Sequence, residues 1–178
     1  MKRIIVASLV AFVLLVVIAA WLPVSVFQCP DAYAGGKKIS GTGKVIAIVS
    51  ETKIYPGDNR SHVLALSNMH EVDNSADPLF NNVQVNEVVA SDYTAGTGTM
   101  RGYRVSTHPG GHKTFMAMEG LTKTVMKPGG PPKTTFGGKW WYTGGTGKLK
   151  GITGGGTFKG KVTKAGVTYE WEGEYEVK

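Results

Sequence analysis

The sequence predicts an all-β protein: about eight antiparallel strands closed into one barrel, preceded by an export segment. Three observations carry that prediction. Beyond residue 35 the chain alternates apolar and polar residues with period two, in runs rich in Val, Thr, Tyr, Trp and Phe, and no segment shows a helical period. Gly, Pro, Asn and Asp divide these runs at short intervals. An open sheet of that many strands would leave two exposed edges, and closure removes them. A two-sheet sandwich is the alternative architecture.

The chain of 178 residues opens with Lys2 and Arg3, then runs uncharged and apolar from Ile4 to Trp21. Pro23 and Pro30-Asp31 end that run, and Ala32-Tyr33-Ala34 ahead of Gly35 has the small-x-small form of a cleavage site. Residues 1–34 therefore read as a signal peptide, and the protein as periplasmic or secreted. An uncleaved anchor through residues 4–27 is the alternative, because the apolar run approaches the length of a membrane span. Cys29, the single cysteine, leaves with this segment, and Gln28 before it is not the small residue that lipidation requires. The remaining domain, 35–178, would hold no disulfide despite an oxidising destination. About 144 residues suit one domain with a real core.

Within that domain strands are expected near 38–54, 62–72, 83–94, 98–107, 113–125, 134–143, 148–162 and 167–177. The separators have physical causes. Pro56-Gly57-Asp58-Asn59 is a turn cluster, and Asn74 to Asn82 is a polar loop containing Asp77-Pro78. Ala95-Gly96-Thr97-Gly98 reads as a tight hairpin and Pro109-Gly110-Gly111 as another turn. Pro128 to Pro132 is all Pro and Gly, which excludes a central strand.

Faces are clearest in the last hairpin. Tyr169, Trp171, Gly173, Tyr175 and Val177 share one face, expected inward. Glu170, Glu172, Glu174 and Glu176 share the other, where Lys159 and Lys161 of the preceding strand can meet them. Trp140 and Tyr142 share a face, with Trp141 opposite. Without Lys2, Arg3 and Asp31 the balance falls from 20 basic and 13 acidic residues to 18 and 12. The lysines are scattered through strand ends and turns, which fits a solvated surface rather than a nucleic-acid partner.

A barrel of this size either fills with side chains or holds one small ligand. Candidate ligand groups follow from apolar faces that carry a polar residue. His62, Leu64, Leu66, Asn68, His70 and Val72 alternate, so inward leucines would bring Asn68 and His70 with them. Glu87 lies with Val83, Val85 and Val89; Glu119 lies with Phe115, Ala117 and Leu121. Arg101, which shares a face with Tyr103, would compensate these carboxylates inside the barrel. Trp140, Tyr142, Trp171 and Tyr175 would supply apolar area as cavity lining or as core. No metal or cofactor is expected. His108 and His112 flank a loop with no third ligand in view, and the glycine-rich run lacks the Gly-Lys-Ser/Thr ending of a phosphate-binding loop. There is no G-x-S-x-G elbow.

That glycine-rich run, Tyr142 to Val162 (YTGGTGKLKGITGGGTFKGKV), resembles the TGG-x-G-x-x-x-G region of the allene oxide cyclase barrel superfamily, which includes dirigent-like proteins. The resemblance implies an eight-stranded antiparallel barrel with an apolar cavity, often trimeric. It implies activities ranging from cyclisation of an unsaturated fatty-acid epoxide to steering of phenol radical coupling. The plant cyclases carry a strand of the form Y-E-x-N-E-x-D-R. Ser67 to Asn74 matches its later Glu and Asp at Glu71 and Asp73, and departs at Asn68, His70 and Asn74.

The expected function is binding of a small, largely apolar molecule in the barrel. One alternative is a cofactor-independent cyclase or isomerase, with His70 or Glu119 moving a proton. A second is a filled barrel that acts through its surface.

Overall fold

The structure, a computed structural model, describes residues 36–58, 61–126 and 128–178. The expected signal peptide, 1–34, and its anchor alternative lie outside the described residues. Among the described residues no helix is long and apolar enough to cross a membrane.

Eight strands follow in order: β1 Lys37–Ile54, β2 His62–Ser75, β3 Val83–Thr94, β4 Thr97–Thr107, β5 Lys113–Val125, β6 Lys133–Gly145, β7 Ile152–Thr163 and β8 Gly166–Val177. Each pairs antiparallel with the next, and β8 returns to β1, closing the barrel. Most strand limits lie within a few residues of those expected from the sequence. β7 is the exception: Gly147–Leu149 forms a 3-10 turn before it, and Leu149 is completely buried there.

Hairpin geometry sets the registers. Ala95 and Gly96 both have positive φ, the conformation of a two-residue turn whose twist matches its strands. That turn pairs Thr94 with Thr97 and therefore Glu87 with Arg104. β1 carries two register shifts, after Val45 and after Ile48, so Ile46 and Val49 are extra residues and stand more than half exposed.

The interior is built from alternate residues of every strand. Inward aromatic rings lie over inward glycines: a Cβ on Gly41 would collide with the Trp171 indole, and one on Gly43 with the Tyr169 ring and the Asp73 carboxylate. The glycines of β1 thus make room for the rings of β8, across registers that pair Gly41 with Trp171 and Gly43 with Tyr169.

The two ends differ. At one, Phe80 from the Pro78–Phe80 turn packs edge-on against His108 and beside Tyr175, with Leu149 and Ile152 also buried. His108 fastens this plug. Its Nδ1–H donates to the Leu79 carbonyl at 3.0 Å, leaving Nε2 to accept from Thr114 Oγ1 at 2.9 Å. Burial lowers its pKa, consistent with that neutral ring. At the other end Val162 is 44% exposed, and Glu51 and Lys53 form a 2.6 Å ion pair open to solvent.

Candidate functional site

A cavity of about 440 Å³ runs inside the barrel, reaching from the buried plug to the open end. Its walls are mainly apolar, with Met69, Val89, Met100, Met118 and Phe158 among them. That volume lies in the range of small-molecule sites. Trp140, Tyr142 and Trp171 line it and are all buried. Tyr175 is also inward and buried, but it packs into the plug.

A charged cluster built from four strands faces this cavity. Glu71 and Asp73 come from β2, Glu87 from β3, Arg104 from β4 and Tyr169 from β8; all are buried and all line the cavity. Arg104 Nη2 donates to Glu71 Oε2 at 2.6 Å, to Tyr169 Oη at 2.7 Å and, more weakly, to Asp73 Oδ2 at 3.3 Å. The Tyr169 hydroxyl lies 2.6 Å from Asp73 Oδ1 and 2.8 Å from Glu71 Oε2, placed to donate to either. Arg104 Nε lies 2.8 Å from Glu87 Oε2, but its N–H is not aligned with that oxygen, so this contact is ionic rather than a hydrogen bond. The guanidinium also lies 5.3 Å from the centre of the Tyr169 ring.

Three carboxyl groups thus share one guanidinium in a place shielded from water. Burial is the largest influence on Glu87 and pushes its pKa up to about 8; Arg104 opposes the rise, and Glu71 and Asp73 add to it. Glu87 therefore holds a proton at neutral pH and shares a hydrogen bond with Glu71. Arg104 stays charged, because the surrounding acids outweigh the cost of its burial. Burial also raises the Tyr169 hydroxyl well above its ordinary value, so it remains a donor.

The sequence-based site divides in two. Glu87 and the aromatic residues face inward. Asn68, His70, Arg101, Tyr103 and Glu119 occupy the opposite parity on their strands, outside the barrel, and none lines the cavity. The inward residues of β2 are Val63, Ala65, Ser67, Met69, Glu71 and Asp73, while Leu66 is 53% exposed. Tyr103 is 67% exposed. Glu119 stands opposite both Arg101 and Lys139 in the outer ladder, so Arg101 is not the counter-ion of Glu87. His70 and Glu119 consequently have no access to a molecule inside the barrel.

Sequence reasoning passed over Arg104 and Tyr169 as site residues and matched Glu71 and Asp73 only through the family pattern. One signal was present. The two-residue turn at Ala95-Gly96 pairs positions whose numbers add to a constant, and this sets Glu87 opposite Arg104.

Among the described residues no group of His, Cys, Asp and Glu is arranged to hold a metal ion. No family model matches the chain, and neither does any curated protein or any solved structure.

Proposed function

We propose that this barrel binds a small, largely apolar molecule in its cavity, with the Arg104 cluster orienting the ligand's polar end. The observation that carries this reading is the cavity itself. About 440 Å³ of mostly apolar space, plugged at one end and open at the other, is what a filled structural barrel lacks. The cluster supplies the few convergent polar groups that fix a ligand's orientation. Residues 1–34, read as a signal peptide, make the setting periplasmic or extracellular, and the glycine-rich run keeps the allene oxide cyclase-like superfamily as the proposed kinship.

Native mass spectrometry of the purified chain, with melting curves against a panel of apolar molecules, tests the reading. A retained small molecule, or a Tm that climbs with ligand concentration, is expected. Ser67→Trp, which fills the cavity from β2, should abolish the shift while the barrel persists. An empty chain whose Tm no apolar molecule moves overturns the proposal.

One observation favours a second reading, a cofactor-independent isomerase or cyclase. Glu87 holds its proton at neutral pH beside an apolar chamber, as a general acid must. In that reading Glu87 moves the proton, Tyr169 and Arg104 stabilise developing charge, and the walls fold the substrate. Turnover that disappears in Glu87→Gln while ligand binding survives would distinguish the enzyme from the binder.

A further inference from the structure

We infer that the ligand of this cavity carries a protonated amine, seated against the carboxyl groups of Glu71, Asp73 and Glu87, with an apolar body extending towards the open end. The inference rests on the binding reading above and names the chemistry of the ligand's polar end.

The first support is the balance of charge around the cavity. Three carboxyl groups face one guanidinium, and the hydrogen bonds and ion pairs of Arg104 run to members of its own cluster. A ligand carboxylate or phosphate would have to compete with those acids for it. Among the described residues that line the cavity, the other basic side chains are Lys53 and His108. Lys53 is at the solvent end and paired with Glu51 at 2.6 Å. His108 has both ring nitrogens engaged, by the Leu79 carbonyl and the Thr114 hydroxyl. An anionic head would thus enter a region of surplus negative charge, and an ammonium would cancel it. Buried charge is costly until it is paired, so the difference falls directly on ligand affinity.

The second support is independent of the acids. Trp171, 8% exposed and lining the same cavity, has an indole N–H that is buried without a hydrogen-bond partner. It sits two residues from Tyr169 on the inward face of β8 and calls for an acceptor oxygen near the amine. An amino alcohol or amino ether on an apolar body supplies both groups. The aromatic residues Trp140, Tyr142 and Trp171 also favour a cation over an anion.

The test is calorimetric titration of the full-length chain at neutral pH with three molecules of one shape: phenylbutylamine, phenylbutanol and phenylbutanoate. The amine is expected to bind at least about ten-fold more tightly than the alcohol, with the carboxylate weakest. Asp73→Asn and Glu71→Gln should each shrink the amine-to-alcohol ratio, while Glu119→Gln on the outer face leaves it unchanged. Near-UV circular dichroism verifies the fold of each variant. If neither inner variant folds, the order of the three ligands on the unaltered chain decides. A carboxylate or alcohol that binds as tightly as the amine overturns the inference and leaves the cavity reading standing, as does a ratio that folded inner variants do not change. No binding of any of the three overturns both.

Discussion

β4 carries two arginines three residues apart, and the sheet treats them oppositely. Arg101 is exposed and stands across from Glu119, which itself stands across from Lys139. Arg104 is buried and gathers Glu71, Asp73, Glu87 and Tyr169. The residue types are nearly the same, so the difference lies in the solvent. Outside, water screens each charge and a pair contributes little. Inside, each charge has been desolvated, and the cluster holds only as a complete set. A surface ladder tolerates the loss of a member; an interior cluster does not.

The largest test of that contrast is a pair of substitutions. Arg104→Ala leaves three buried carboxyl groups without a counter-ion and should cost about 3–5 kcal/mol in denaturant unfolding. Arg101→Ala should change stability by no more than about 0.5 kcal/mol. Similar losses for the two would end the distinction between the inner and outer arrangements.

Gly43→Ala sharpens the contrast from the backbone side. The new methyl group collides with the Tyr169 ring and the Asp73 carboxylate, both members of the inner cluster. A loss of about 1–3 kcal/mol is expected, with disturbed near-UV circular dichroism from the aromatic interior. An unchanged spectrum would mean that Tyr169 does not depend on the space over Gly43.

The pH dependence of stability distinguishes the two settings more finely. Unfolded, Glu87 ionises near its ordinary value of 4.5; folded, it keeps its proton up to about 8. Between those values the folded state binds the extra proton, so Glu87 makes stability fall as pH rises and its effect levels off above about 8. Chemical denaturation across this window should show that decline, and Glu87→Gln should remove its part of the slope.

The smallest expected effect lies at the rim. His62 is held between Asp58 at 2.7 Å and Asp92 at 2.9 Å, and these hydrogen bonds raise its pKa above the ordinary 6.5. The stabilisation it brings is complete below that ordinary value and is lost as pH rises through the raised one. NMR titration should place the His62 midpoint above that of an unpaired imidazole. Asp58→Asn together with Asp92→Asn should return it.

Much of the barrel was legible in the chain, and the reasons are local. Turn clusters such as Ala95-Gly96 and Pro128 to Pro132 mark where strands cannot continue, whatever surrounds them. β8 declares its faces because every outward residue from Glu170 to Glu176 is an acid; Lys159 meets Glu170 at 3.3 Å as the alternation required. β2 declares nothing of the kind. It has apolar residues of both parities, with Val63, Ala65 and Met69 inside and Leu64 and Leu66 outside. The larger leucines pointed to the wrong face, and with them Asn68 and His70. β5 misled in the same way, since Phe115 and Leu121 are exposed while Met116 and Met118 are buried.

By itself the sequence determined the strands, the turns between them and the inward aromatic face of the final hairpin, because these follow from neighbours within a few residues. The tertiary structure alone decided which carboxylates are buried and that Arg104, rather than Arg101, is buried with them. The hairpins joining β2, β3 and β4 set Glu71, Glu87 and Arg104 side by side, and Tyr169 of β8 reaches them only once the barrel closes. The cost of burying those acids without Arg104 is an energy that no single strand contains.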